Sequence, residues 1–122
     1  MELILASASP RRRELLAQIG VAARAEPAEI DESVLEGEAA DDYVLRLARE
    51  KAQKVYDMQS PSRRVSTVCL GSDTSVVFAG RVLGKPADFA ESQSMLRQLS
   101  GTKHQVMTAV ALVGAFGVRE QL

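Results

Sequence analysis

The sequence contains few of the residues on which many protein sites are built. It has one cysteine, one histidine and no tryptophan in 122 residues. A single cysteine excludes an internal disulfide and any zinc site made from several cysteines. Cys69 lies between Val68 and Leu70, and these apolar neighbours predict a buried strand residue and not a catalytic thiol. His104 precedes a predicted strand and is interpreted as structural.

Long apolar runs and an excess of one charge are also absent. No run approaches the roughly 20 apolar residues of a membrane helix, and the start lacks the apolar stretch of a signal peptide. We therefore expect a cytoplasmic protein without membrane contact. The 15 Lys and Arg residues are balanced by 16 Asp and Glu residues, so the net charge is -1. No general positive field exists to hold nucleic acid, and any phosphate site must be local.

The composition that is present is typical of an ordinary globular domain. Hydrophobic residues make up 46% of the chain and charged residues 25%. A chain of 122 residues is long enough to bury one core. We predict a single domain over residues 1–122.

The N-terminal segment, residues 3–16 (LILASASPRRRELL), predicts a strand, a turn and a helix in immediate succession. The apolar residues 3–5 suit a buried strand. Ser9 is a favourable N-cap, Pro10 fits the first helical position, and Gly20 ends the helix. The predicted apolar side of the helix consists of Leu15, Leu16 and Ile19.

Three consecutive arginines, Arg11, Arg12 and Arg13, occupy the first turn of this helix. Backbone N–H groups lack partners there and the helix dipole is positive, so cations are locally unfavourable. A bound phosphate would use the free N–H groups and the guanidinium groups together. The alternative interpretation is an exposed arginine-rich face.

An acidic loop follows a short second strand. Residues 21–25 predict the strand, which Pro27 ends. Asp31 and Glu32 lie among many other carboxylates, most of which must be solvated. One of these two could instead bind Mg²⁺, because hard cations take carboxylate oxygen as a ligand.

A helix is predicted over residues 40–56, with Lys51 in the middle of its apolar face. An ammonium group is rarely buried without a partner. Either Lys51 extends its charged end out of the packed face, or it points into a polar cleft where an anion or carboxylate meets it. The apolar face consists of Val44, Leu47, Ala48 and Val55. The residues assigned to a solvated face are Arg46, Arg49, Glu50 and Lys54.

The chain from Val65 onward predicts β-structure, after a surface loop over residues 57–66. Asp73 is unusual in this region, because aspartate is disfavoured in strands. It is either a functional carboxylate or part of an Asx turn or a bulge at Gly71. The apolar stretches that predict a hairpin off a buried strand are 68–70, 76–78 and 82–83.

Gly84, Lys85 and Pro86 close this hairpin and do not form a P-loop. Three residues separate Gly80 from Gly84 where the motif needs four, and Pro86 replaces the Ser or Thr that would bind Mg²⁺. Lys85 is still a candidate phosphate ligand. Further along, the patterns predict a helix over 88–99, a strand over 105–113 and no clear element in 114–122.

Six segments occur in an order that resembles the Maf family of nucleoside triphosphate pyrophosphatases. They are LASASPRR at 5–12, IDE at 30–32, RLAREKA at 46–52, GSDT at 71–74, LGKP at 83–86 and LSGTKHQVMTAV at 99–110. The chain is most similar to the branch that hydrolyses dTTP and UTP. The resemblance implies an α/β fold: a mixed twisted sheet flanked by helices, with a cleft between two lobes, as in Maf and ITPase-like proteins.

The resemblance also implies a reaction and the residues for it. Family enzymes use a divalent cation, Mg²⁺ or Mn²⁺, to cleave between the α and β phosphates, and release pyrophosphate and the monophosphate. By motif, Asp73 would be the general base or a metal-linked carboxylate, and Glu32 would help to hold the metal. The residues that would grip the triphosphate are Ser7, Arg12, Lys51 and Lys85, and those that accompany pyrimidine selection are Arg11 and Thr74.

The sequence departs from the family at its end. Family chains continue well past this point, and residues 114–122 do not match the expected continuation. We expect the C-terminal part of the family fold to be absent, which would expose a strand edge and favour a homodimer. The function that we expect is an active pyrophosphatase with a shortened chain. The alternatives are a nucleotide-binding remnant without turnover and a phosphate-dependent regulatory module acting through protein contacts.

Overall fold

The described elements of the computed structural model form one mixed sheet with helices, which confirms the predicted α/β class. The structure describes residues 2–7, 10–78, 81–83 and 104–122. In chain order the elements are β1 (Glu2–Leu5), α1 (Pro10–Gln18), β2 (Arg24–Ala25), α2 (Ala40–Met58), α3 (Pro61–Arg64), β3 (Thr67–Phe78), β4 (Arg81–Leu83), β5 (His104–Gly114) and β6 (Gly117–Gln121).

The strands lie in the order β2-β1-β3-β5-β6, with β4 paired to β3 beside this path. β1 is parallel to both β2 and β3, and the remaining pairs are antiparallel. Ile4 lies opposite Cys69 in the parallel pair of β1 and β3. The carboxyl ends of three parallel segments therefore meet at one edge of the sheet, which is where open α/β sheets bind ligands.

β3 is the central strand, and part of one of its edges has no partner among the described strands. β5 pairs with β3 along one edge, from Cys69 to Phe78. On the other edge, β1 pairs with residues 67–70 and β4 with residues 76–78. Between them, residues 71–75 have no strand beside them in the described part of the chain. This gap opens beyond the end of β1, beside Asp73.

The core lies between the sheet and α2. The predicted apolar face of α2 is confirmed, because Val44, Leu47, Ala48 and Val55 are all buried. They pack in two clusters with alternate residues of β1, β3 and β5, such as Ile4, Cys69 and Ala111. α2 is therefore fixed in rotation, with one side against β3 and β5.

Gly71 allows the α2 backbone to lie directly on β3. A Cβ atom at Gly71 would lie 2.1 Å from the carbonyl oxygen of Ala48. Side chains alternate between the two faces of a strand, so Cys69 and Asp73 also point toward α2. The interpretation of a bulge at Gly71 is wrong, since the β3–β5 register runs without an insertion.

α1 confirms the predicted helix but not its predicted burial. The helix ends at Gln18, and Gly20, two residues later, has a φ of +80°. The N–H groups of Val21 and Gly20 donate to the carbonyls of Leu16 (2.9 Å) and Ala17 (3.0 Å). This is a Schellman end. No residue of α1 is buried, however, and Leu15 is 52% exposed. Among the described residues no element covers its apolar side.

Three further expectations need correction. The strand predicted over 21–25 is only two residues long, and the loop predicted over 57–66 contains the short helix α3. Residues 114–122, which showed no clear pattern, contain β6, and β6 forms a hairpin with β5. The five residues of β6 are all exposed, so they lack the apolar alternation by which a strand is predicted. The predicted helix over 88–99 lies outside the described residues.

Several apolar side chains of β5 and β6 are exposed. Val106, Val110 and Val118 have 61%, 42% and 43% of their surface accessible. The predicted homodimer is not tested by this single chain and stays a prediction. None of the helices in the described ranges is long and apolar enough to cross a membrane.

We expect Gly71→Ala to destabilise the protein by about 3 kcal/mol, because the new methyl group meets helix backbone that cannot move away. Gly20→Ala is the control, since its Cβ would meet no atom within 4 Å and only the positive φ is strained. That strain costs about 1 kcal/mol. Urea unfolding followed by circular dichroism measures both losses. Equal losses would contradict close packing at Gly71.

Candidate active site

A polar cleft of about 520 Å³ lies where the parallel strands end. Segments that follow β1 and β2, the middle of β3 and one side of α2 surround it. Residues from all of these segments line it: Ala6, Ser7, Arg12, Pro27, Ala28, Glu29, Ile30, Glu32, Lys51, Asp73 and Thr74. The fold therefore brings together six of the predicted site residues: Ser7, Arg12, Glu32, Lys51, Asp73 and Thr74.

Lys51 joins the two predicted carboxylates of the cleft. Its Nζ lies 3.0 Å from Oε1 of Glu32 and 3.2 Å from Oδ1 of Asp73. The Lys51 side chain is only 14% exposed. Of the two interpretations of Lys51, the structure agrees with the one in which the ammonium enters a polar cleft and meets carboxylates.

Asp73 is buried in a regular part of β3. Its side chain is 9% exposed and points toward α2, where Lys51 reaches Oδ1. The other oxygen, Oδ2, accepts a hydrogen bond of 2.9 Å from Oγ of Ser75. The interpretation of an Asx turn is wrong, because the strand continues through this position. A carboxylate held at both oxygens inside a cleft has a fixed direction.

The three arginines of α1 have different environments. Arg12 lines the cleft, and its Nη1 donates to the carbonyl oxygen of Ser72 at 3.3 Å. Arg11, which the resemblance associates with pyrimidine selection, is exposed and does not line the cleft. Arg13 lines a second cavity of about 500 Å³, which shares Ser7 with the cleft. Successive helical residues differ by about 100° in direction, so one anion cannot engage all three equally.

Thr74 lines the cleft from the other face of the sheet. It follows Asp73 in β3, so its side chain points to the opposite face and is exposed. Its hydroxyl lies 3.1 Å from the hydroxyl of Thr108 on β5, which the register places directly opposite. Sequence patterns gave no indication of this pair, because threonines in neighbouring strands are common.

The charged side chains of the cleft show whether the predicted divalent cation could bind there. The charged lining residues are Glu29, Glu32, Asp73, Arg12 and Lys51, whose formal charges sum to -1. Within the part of the chain that the structure describes, no group of three or more His, Cys, Asp or Glu side chains is arranged to hold a metal ion. Two carboxylates do fit Mg²⁺ or Mn²⁺ when phosphate oxygens supply further ligands. Lys85 lies outside the described residues.

Cys69 takes no part in this cleft. It is fully buried on β3 between the sheet and α2. Burial raises the pKa of its thiol to about 11, so the group is protonated at neutral pH. The predicted structural role of Cys69 is in keeping with this environment.

Comparison with known proteins identifies relatives whose sequences match nearly the whole of this chain. The sequence is 54% identical over 121 residues to a dTTP/UTP pyrophosphatase of Colwellia psychrerythraea, covering 99% of this chain and 57% of the relative. It is also 52% identical over 117 residues to a dTTP/UTP pyrophosphatase of Hahella chejuensis. That match covers 96% of this chain and 57% of the relative. The chain thus spans little more than half the length of these curated relatives.

A solved structure and a family model also match. The structure is a nucleoside-triphosphatase, dITP/XTP pyrophosphatase, of Mycobacterium abscessus, with a TM-score of 0.48 and 22% identity over 99% of this chain and 70% of that one. The family model, whose description is Maf-like protein, matches residues 2–121 of this chain. The chain therefore belongs to the Maf family.

Proposed function

We propose that this chain hydrolyses a nucleoside triphosphate between its α and β phosphates, with UTP and dTTP as substrates. The observation that carries the proposal is the position of Lys51 between Glu32 and Asp73 in a cleft that Arg12 also lines. Two relatives at 52% and 54% identity are dTTP/UTP pyrophosphatases, which supports UTP and dTTP as the substrates.

The cationic side chains would bind and orient the phosphates. Arg12 and Lys51 approach the cleft from different elements, so together they can hold a phosphate chain in one direction. They also neutralise charge on the leaving pyrophosphate. Ser7 lies at the boundary of the two cavities and can donate a hydroxyl hydrogen bond to a phosphate oxygen.

Asp73 would accept the proton of the attacking water. The water oxygen forms a bond to the α phosphorus, the bond from that phosphorus to the bridging oxygen breaks, and pyrophosphate leaves with the electron pair. The proton passes to a carboxylate oxygen of Asp73. Because Lys51 and Ser75 fix this carboxylate, its position changes little during the reaction.

Glu32 and Asp73 would hold a divalent cation together with phosphate oxygens of the substrate. Such a cation supplies charge neutralisation at the phosphates and lowers the pKa of a water bound to it. The net charge of the described cleft supports this expectation, because a cleft of charge -1 does not attract a triphosphate by itself.

A carboxylate at Asp73 favours an enzyme over a binding module. A protein that only held a triphosphate would lose affinity from an anion beside the phosphates. A hydrolase needs such a group to orient and deprotonate water. Pyrophosphate release from a panel of nucleotides, with Mg²⁺ or Mn²⁺, tests the proposal. Binding without release would indicate a nucleotide-binding remnant. Absence of both binding and release would overturn the proposal.

We predict that Asp73→Asn lowers pyrophosphate release on the order of 10²-fold or more, the usual scale for a positioned base. UTP binding without metal should be unchanged or tighter, because one negative charge is removed. Steady-state kinetics and calorimetric titration measure the two quantities. Asp42→Asn, at an exposed position of α2, is the control and should keep full activity. Retained turnover in Asp73→Asn would refute the assignment of the base.

We predict that Arg12→Met weakens nucleotide binding on the order of tenfold, since a charge-assisted contact is lost. Arg11→Met removes the same charge one residue away, at a position that does not line the cleft. It should change the dissociation constant by less than about threefold. Titration with a non-hydrolysable UTP analogue compares the variants. A larger effect at Arg11 would support the sequence-based expectation that Arg11 contacts the substrate.

We predict that Lys51→Met destabilises the protein on the order of 2 kcal/mol, because Asp73 then keeps a buried charge without its cation. Adding Asp73→Asn to this variant should restore part of the loss. The control is Lys54→Met, which removes an exposed ammonium from the same helix. Urea unfolding measures all variants. If Lys51→Met is no less stable than Lys54→Met, the buried ion pair contributes nothing.

A further inference from the structure

α2 holds the backbone of the acidic segment 31–38 at two consecutive carbonyl groups. The hydroxyl of Tyr43 donates to the carbonyl oxygen of Glu32 at 2.6 Å. Nη2 of Arg46 donates to the carbonyl oxygen of Ser33 at 2.9 Å. These bonds come from one face of α2, since residues three apart lie together on a helix.

Arg46 is itself fixed by several contacts, although the sequence placed it on a solvated face. Its Nε and Nη2 donate to the two carboxylate oxygens of Glu38 at 2.7 and 3.0 Å. Its guanidinium carbon lies 5.6 Å from the centre of the Tyr43 ring. The Arg46 side chain is only 13% exposed. Both ends of the segment are therefore tied to the same part of α2.

The side chain of Glu32 has little support of its own. Its side chain is 42% exposed and forms an ion pair with Lys51. An exposed glutamate samples many rotamers, so its direction depends on where the backbone is held. Asp73, in contrast, is directed by the rigid strand β3 and by Ser75.

We propose that Tyr43 and Arg46 are positioning residues for Glu32: they fix the backbone at the carbonyl groups of Glu32 and Ser33, directly after the Cα of Glu32, so that the carboxylate reaches Lys51 and the cleft. The consequence for catalysis, a correctly placed metal ligand, rests on the proposed function. The positioning itself does not. Burial and the charge of Asp73 raise the pKa of Tyr43, which keeps its hydroxyl a hydrogen-bond donor at neutral pH.

The two tyrosines of the chain provide a matched pair for the test. Tyr43→Phe removes the hydroxyl that holds Glu32 and keeps the ring beneath Arg46. Tyr56→Phe removes a hydroxyl from the same helix that donates to the carbonyl of Arg64 at 3.2 Å, away from the segment. A merely structural role would lower the melting temperature of the two variants alike.

A zero-length carbodiimide cross-link reports on the position of Glu32 without any metal or nucleotide. The reagent activates a carboxylate, the Lys51 amine attacks it, and an amide bond forms as the urea by-product leaves. Mass spectrometry quantifies the Glu32–Lys51 product, with Asp73–Lys51 as an internal reference. We expect the Glu32 product to fall severalfold in Tyr43→Phe and to be unchanged in Tyr56→Phe. Equal Glu32 yields in the two variants would overturn the proposal.

The arginines provide a second matched pair. Arg46→Lys keeps the charge but loses the fork that joins Ser33 to Glu38. Arg49→Lys changes a half-buried residue whose side chain pairs with Glu120. The Glu32–Lys51 cross-link should fall in the first variant only. If it falls in neither, Arg46 has no part in positioning Glu32.

A functional measurement is kept separate from the cross-link. Mn²⁺ titration by electron paramagnetic resonance, with a non-hydrolysable UTP analogue, should show binding weakened about tenfold or more in Tyr43→Phe, as for other groups that orient metal ligands. If the parent chain neither binds Mn²⁺ nor releases pyrophosphate, the proposed function fails, and the cross-link still decides whether Tyr43 positions Glu32. Normal Mn²⁺ binding in Tyr43→Phe would contradict the catalytic consequence.

Discussion

The contact of the α2 backbone with β3 at Gly71 is the constraint from which the site follows. The absence of a side chain there lets the carbonyl of Ala48 lie against the strand. Lys51 is one turn further along the helix, and Asp73 is two residues further along the strand on the same face. A helix held farther away could not bring the ammonium within 3.2 Å of this carboxylate.

The sheet places the cleft beside this contact. β1 stops at Leu5 while β3 continues to Phe78, so the longer strand runs past the shorter one. In the described part of the chain, the stretch of this β3 edge between its pairings with β1 and β4, residues 71–75, is contacted by Arg12 and not by a strand. The opening in the sheet thus results from unequal strand lengths, and it requires no irregular backbone in β3 itself.

The charges of the cleft are linked to one another. Lys51 lies between two carboxylates that come from a strand and from a loop, and the loop is in turn held by Tyr43 and Arg46. Removal of one charge therefore alters the surroundings of the others. The relatives named here are nearly twice as long as this chain, so the described cleft corresponds to what this part of the family sequence builds.

The sequence by itself determined the local elements and the residues that stand out chemically. Apolar periodicity predicted β1, α2 and β5, because their buried faces carry a regular pattern. It did not predict β6, whose residues are all exposed, or the exposure of Leu15 on α1. Asp73 and Lys51 stood out because a charge in an apolar pattern needs a partner.

Only the tertiary structure decided which of these charges meet. The resemblance assigned Arg12 to the triphosphate, but the direction in which each arginine points depends on the rotation of α1, which a run of three identical residues cannot reveal. The roles of Tyr43 and Arg46 depend on contacts with a loop ten or more residues away in the chain. Sequence patterns report the environment of a residue along one element, whereas the pairing of Lys51 with Asp73 and Glu32 arises because packing brings three separate elements together.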